Sequence, residues 1–175
     1  MSFVSITADS SQAANPPGAL GIYVILASNL TANWPIAAQA NVGLVTTAPP
    51  LAALAKFARV IPPSDSIDGN YTTEGRRGYQ GIKHEAMWEN AGYSSAILAE
   101  NAKYINAGVV VLKELSDNRW IVLGSRQNPL DVTVSAKIGK GGNDERGFTY
   151  TASRSNNAWF PPVLDNAVVT ALTFA

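Results

Sequence analysis

The sequence predicts a mainly β chain of the α+β kind, with about seven to nine strands and one or two helices in a single domain, residues 1–175. Three observations carry this. IKHEAMW (82–88), LDVTVSAKI (130–138) and FTYTAS (148–153) alternate apolar and polar residues, the two-residue period of a half-buried strand. VVVLKELSDNRWIVLGS (109–125) sets two apolar runs around Ser-Asp-Asn-Arg, a hairpin signature. Only AGYSSAILAENAKYINAG (91–108) carries a clear helical period.

Taken in order, SFVSITA (2–8) predicts a short strand and SSQAANPPG (10–18) a turn-rich connection. LGIYVILA (20–27) is a continuous apolar run of strand length, so it reads as a buried strand. A further strand is readable within NVGLVTT, residues 41–47. In LAALAKFARVI (51–61) the Leu and Ala content after Pro49-Pro50 favours a helix, although ALAKFARVI also reads as a strand pair. PPSDSIDGNYTTEGRRGYQG (62–81) is polar and glycine-rich, as in a mobile loop or the tip of an extended hairpin.

In 82–88, Ile82, His84, Ala86 and Trp88 share one face. The helix within 91–108 takes Ser94 or Ser95 as its N-cap, has Ile97, Leu98, Ala102 and Ile105 as its apolar stripe, and ends at Gly108. Leu130, Val132, Val134, Ala136 and Ile138 line one face of a strand, and GKGGNDERG (139–147) is a loop. After a break from Asn157 to Pro162, AVVTALTF (167–174) predicts a last strand. No internal repeat or linker interrupts the chain.

The 109–125 hairpin raises a question of its own. A two-residue turn at Asp117-Asn118 would pair Leu115 with Trp120, Lys113 with Val122 and Val111 with Gly124. On the opposite face Glu114 would meet Ile121, Leu112 would meet Leu123, and Val110 would meet Ser125. Both faces then carry large apolar groups. One covers the chain's own core; the other must meet a helix, a second sheet or another chain.

Composition narrows the function classes. Charged residues make up 15% of the chain, against about 25% in a typical domain. Such a surface is either polar but uncharged or buried against other subunits. The 13 basic and 13 acidic residues cancel, and Arg76-Arg77 is the only adjacent Lys/Arg pair in the sequence, so no nucleic-acid footprint stands out. There is no cysteine for a disulfide or thiol chemistry. MSFVSITADSS lacks the basic and apolar regions of a signal peptide, and no apolar run reaches the ~18 residues of a membrane span. The expected setting is a cytoplasm, with no membrane partner.

No constellation of catalytic residues emerges, so an enzyme is the least favoured class. His84-Glu85 begins like HExxH, but Trp88 takes the place of the second histidine, and a lone strand histidine reads as a packed, hydrogen-bonded residue. With a single His and no Cys, a soft-metal site is not expected. IGKGGNDERG lacks GxxxxGK[ST] and precedes a strand, so it does not cradle phosphate; Asp144 and Glu145 do not match a calcium loop. Asp65, Asp68 and Glu74 read as solvated loop charges. Trp88 and Trp120 are expected in the core, while Trp34, Trp159 and Phe160 lie near prolines and are the candidates for an exposed contact. Asn29-Leu30-Thr31 and Asn70-Tyr71-Thr72 match the glycosylation sequon, without a secretion signal to give it meaning. No catalytic, cofactor-binding or metal-binding residue is assigned.

The order of parts resembles a known family. LGIYVILASNL is followed by Trp34-Pro35 and by a polar loop leading into GYQGIKHEAMW. A helix then feeds VVVLKELSDNRWIVLGS, and VSAKIGKGGNDERGFTYTAS ends on a Gly-Phe-Thr-Tyr-Thr strand. This resembles virion structural proteins of tailed bacteriophages, especially tail-tube-like proteins of Bacteroidetes phages and prophages. The resemblance is one of pattern over most of the chain, and residues 36–61 match nothing in it. It implies a β-sandwich or half-barrel with one flanking helix. It further implies a homo-oligomeric ring, commonly of six subunits, stacked into a hollow tube that conducts DNA and meets other tail proteins, with assembly in the host bacterial cytoplasm and residence in the virion. The loops 62–80 and 139–147 would reach neighbouring subunits. A DNA lumen is often acidic, whereas this chain is neutral. The readings beside it are another virion ring or decoration protein and a carbohydrate- or surface-binding β-sandwich module.

Overall fold

Ten strands join into one mixed sheet. Residues 18–60, 62, 66–139 and 146–175 are described, in a computed structural model. The strands are β1 (Ala19–Leu26), β2 (Leu44–Val45), β3 (Ala58–Val60), β4 (Tyr71–Glu74) and β5 (Gly81–Ala91). They continue with β6 (Gly108–Leu115), β7 (Trp120–Leu123), β8 (Leu130–Lys137), β9 (Gly147–Asn157) and β10 (Val163–Leu164). Three short helices, α1 (Ala37–Val42), α2 (Ser95–Ala102) and α3 (Asn166–Thr170), and one 3₁₀ turn at Ala27–Asn29 complete the described elements.

The strand order is β2-β10-β7-β6-β8-β9-β5-β4, with β1 on the other side of β6 and β3 beyond β1. Every pairing is antiparallel except β10 with β2. The longest ladder joins β5 to β9, Trp88 opposite Tyr150. The mainly β class and the alternating strands at 82–88, 130–138 and 148–153 are as the sequence predicts, and β9 runs four residues further to Asn157. Of the two readings of 62–81, the hairpin is observed: β4 pairs with β5 from Tyr71–His84 to Glu74–Gly81.

The hairpin β6–β7 answers the question its sequence posed. One cluster packs Val110, Leu112, Trp120 and Val122 with Tyr23, Ile25, Trp34, Phe57 and Val168. The other packs Val109, Val111 and Leu123 with Ile22, Val24, Trp88 and Tyr150. Both faces are therefore buried within the chain. The first is covered by residues between Leu30 and Phe57 and by α3. The second meets β5 and β9 of the same sheet, which therefore curves over onto itself.

The register differs from the expected one by a residue. Glu114 pairs with Trp120, Lys113 with Ile121, Leu112 with Val122 and Val111 with Leu123. The connection is a three-residue loop: Leu115 N–H donates to the Arg119 carbonyl at 2.8 Å, and Asn118 sits at φ +63°. One residue of slip turns one strand's side chains to the other face, so Leu112 belongs with Val122 rather than Leu123.

Four other expectations are corrected. The stretch 167–174 is not a strand: Asp165 accepts the Ala167 N–H at 2.8 Å, α3 follows, and Val168 and Leu172, one turn apart, face the core. Residues 51–60 form no helix, and of the strand reading Ala58–Val60 is observed. Leu54 is left-handed at φ +66°, Leu51 bridges Leu30, and β3 pairs with β1, so tertiary pairing overrides local propensity. The strand expected in 41–47 shrinks to Leu44–Val45, because Ala37–Val42 is helical and Gly43 closes it at φ +80°. Helix α2 starts where expected, with Ser94 Oγ accepting the Ile97 N–H, but it ends at Ala102, capped by Lys103. Gly108 instead opens β6, where a Cβ would lie 2.5 Å from Pro129. Of the expected stripe, Leu98 and Ile105 are exposed and Ile97 alone packs on the core. The expected strand 2–8 and most of the loop 139–147 lie outside the described residues.

Candidate functional site

Three places on this fold gather chemistry-bearing side chains: the sheet edge at β4, the interior around His84, and a cleft beneath α2.

Among the described residues strand β4 ends the sheet. It bonds to β5 on one side, and all four of its residues are exposed. Pairing with β5 already begins at Asp68, whose N–H and carbonyl both bond Met87. Asn70, Thr72 and Glu74 follow at alternate positions with their polar groups toward β5, which turns those of Tyr71 and Thr73 outward. The Tyr71 ring meets Phe160 edge-on at 5.9 Å, and the Arg76 guanidinium lies 5.0 Å from the ring of Tyr79 at the hairpin tip. Glu74 accepts a hydrogen bond from Ser155 Oγ at 2.8 Å, so the strand's only acid is engaged at home.

His84 lies on β5 with no exposed surface. Its Nδ1 accepts the Gly124 N–H at 3.1 Å, which leaves the proton on Nε2, 2.9 Å from the carbonyl of Trp159. Burial lowers its pKa, partly offset by the Trp159 bond. As the sequence suggested, this is a packed, hydrogen-bonded histidine. Lys113, also largely buried, is held below the ordinary lysine range by burial, against the opposing pull of Asp68.

The cleft beneath α2 has a volume of about 550 Å³. One wall is β3, the other is α2, and Trp88, Asn90 and Tyr150 reach it from β5 and β9. Trp88 and Tyr150 stack with centroids 5.3 Å apart and planes 4° from parallel. Tyr150 donates to Asn101 Oδ1 at 2.6 Å. Burial raises the Tyr150 pKa, and burial pushes Tyr104 up to about 12.

The candidates for exposed contact divide. Trp34 is fully buried, its indole N–H donating to the Thr47 carbonyl at 2.8 Å; its loop folds inward as part of the core, correcting the expectation. Phe160 is 52% exposed and Trp159 half-buried, with an indole N–H that has no acceptor among the described residues. The exposed pair Tyr71 and Phe160 stands 75° from coplanar, which is not the flat platform a sugar ring stacks on. Trp88 and Trp120 are in the core as expected. Glu74 ends β4 bonded to Ser155, and Asp68 bridges Met87 ahead of β4, so neither is the loop charge expected; Asp65, Asp144 and Glu145 lie outside the described residues. Among the described residues no three His, Asp or Glu side chains gather as a metal site, and no helix is long and apolar enough to cross a membrane. Sequence reasoning missed Tyr71 and Asn101, whose roles arise only from long-range pairing and packing. No protein-family model, curated protein or solved structure matches the chain.

Proposed function

We propose that this chain is a structural subunit that assembles with copies of itself, as a ring of about six subunits stacked into a phage-type tail tube. The observation that carries the proposal is the β4 edge. From Asp68 to Glu74 the strand bonds to the sheet on one side only among the described residues, and it carries no proline, lysine or bulge to protect the other. A free edge, here with the β-prone Tyr71, Thr72 and Thr73 at its centre, is a template for another strand.

Two further features support it. The strands β3-β1-β6-β8-β9-β5 surround one apolar cluster, as a half-barrel would, with α2 flanking it. The low charge and the exposed Val42, Leu44, Tyr71 and Tyr79 suit surfaces that meet other subunits. The two-faced hairpin, by contrast, lends no support, since both its faces are covered from within. Other tail proteins and DNA passing through the lumen are the partners this role implies, in a virion assembled in the bacterial cytoplasm.

Negative-stain electron microscopy across a concentration series tests this. Hollow tubes or stacked rings are expected; particles of monomer size at every concentration would sink it. Deleting residues 64–77, the β4 arm, should leave a folded subunit that no longer polymerises.

A further inference from the structure

Residues 10–55 contain no Asp, Glu, Lys, Arg or His, although charged residues make up 15% of the chain. Part of this stretch reaches the surface at α1 and β2. A surface helix ordinarily turns charged or polar residues to water. Helix α2 does so with its Glu100–Lys103 ion pair. Helix α1 instead exposes Ala37, Ala38, Asn41 and Val42 between exposed Ile36 and Leu44, and Val42 is 80% exposed. Asp165, whose N–H donates to the Val45 carbonyl, is engaged already: its carboxylate caps α3. An apolar face bare of charge fits neither nucleic acid nor an anionic membrane surface, since both call for Lys or Arg. It fits an uncharged protein surface.

Strand β2 also stands at the opposite end of the strand order from β4. The N–H groups of Val163 and Asp165 donate to the carbonyls of Gly43 and Val45, both at 2.9 Å, which turns the main-chain groups of Leu44 away from β10. Just beyond, Gln39 Oε1 accepts the N–H groups of Thr46 and Thr47 at 3.2 and 3.3 Å, so pairing from outside is confined to Leu44. A ring closes only when one surface of a subunit meets a different surface of the next. The β4 end is one such surface. Tyr71 and Thr73 turn their main-chain groups outward there, Phe160 lies against Tyr71, and Glu74 and Arg76 are held by Ser155 and Tyr79. We propose that its counterpart is the α1–β2 end of a neighbouring copy. The Thr73 N–H meets the Leu44 carbonyl, and Tyr71 and Phe160 anchor on Ile36, Val42 and Leu44, where the small Ala37 and Ala38 leave room for the rings. This pairing rests on the assembly proposed above and names the second surface that a ring requires.

Two variants test it, each keeping one end intact. Val42→Lys combined with Leu44→Lys charges the α1–β2 end at exposed positions, and lysine on an edge strand blocks pairing. Deletion of residues 64–77 removes the β4 end. In sedimentation velocity the parent chain should assemble and each variant alone should stay monomeric. Their equimolar mixture should give a heterodimer and nothing larger, because only one sound junction remains. A lysine variant that assembles as the parent does would overturn the pairing and leave the assembly itself standing. So would a lysine variant that dimerises alone, since β4 would then meet β4, and so would a mixture that forms no heterodimer. A parent chain that stays monomeric at every concentration would overturn both. Where circular dichroism shows a variant unfolded, Ile36→Lys replaces the lysine pair and Thr73→Pro replaces the deletion, with the same outcomes expected.

Discussion

The Nδ1 of His84 accepts the backbone N–H of Gly124 at 3.1 Å across forty residues of sequence, and this bond fixes the charge of the ring. An imidazolium has no lone pair to offer, so protonation would leave a buried N–H facing a buried N–H. The bond also ties the centre of β5 to the end of β7, where the chain leaves the hairpin toward β8.

That geometry predicts an acid-sensitive fold. Burial holds the His84 pKa below its ordinary 6.5, so between that value and the folded pKa the unfolded chain binds the extra proton. The contribution is fully present above about pH 6.5 and is lost as pH falls through the folded value, each unit of depression being worth about 1.4 kcal/mol. Urea midpoints should decline from pH 7.5 to 5. Carboxylates titrate over part of that range, so the decisive quantity is the difference from His84→Gln. A slope identical in the two proteins would remove the histidine from the explanation.

Gly124 is itself constrained. It sits at φ +75°, and a Cβ there would lie 3.0 Å from Leu130 Cγ. Gly124→Ala keeps the N–H that His84 accepts, yet it imposes a left-handed backbone on a residue with a side chain. A loss of about 1–2 kcal/mol is expected from the backbone, with Leu130 adding to it if it cannot shift. Chemical denaturation checks this, and an unchanged midpoint would mean that the turn relaxes freely.

How far the sequence could be read depends on where its signals come from. The alternation in 82–88 placed His84, Ala86 and Trp88 on one face, and all are buried together. That signal is local, since burial on one face writes a two-residue period directly. The register of β6 on β7 was not legible, because Ser116-Asp117-Asn118 admits a two- or three-residue loop and the difference is one left-handed asparagine. Val168 and Leu172 fit a strand's alternation as well as one helical turn, and the cap from Asp165 decided for the helix. The candidate sites were least legible. The freedom of β4 and the company of Asn101 are set by residues scores of positions away, and no local pattern records them.

Trp34 makes that limit measurable. Its prolines suggested an exposed loop, but the ring is fully buried and its N–H bonds the Thr47 carbonyl. Trp34→Ala should therefore cost about 3–5 kcal/mol, as a large cavity in a core does. Trp34→Phe keeps most of the volume and loses the donor, so it should cost less. A neutral Trp34→Ala in thermal unfolding would place the ring at the surface after all.

The last prediction separates the edge of β4 from its side chains. Alternation along Asp68, Asn70, Thr72 and Glu74 turns the Thr73 N–H away from β5. Proline at 73 therefore removes a donor that the subunit's own sheet does not use, and edge strands tolerate it. If copies join by adding a strand to β4, Thr73→Pro should fold with an unchanged circular dichroism spectrum and fail to form rings or tubes. Thr73→Ala, which keeps the N–H, should assemble as the parent does. Equal assembly of both variants by sedimentation would mean that subunits meet through some other surface, such as the aromatic pair Tyr71 and Phe160. Loss of assembly in both would point to the threonine side chain rather than the backbone edge.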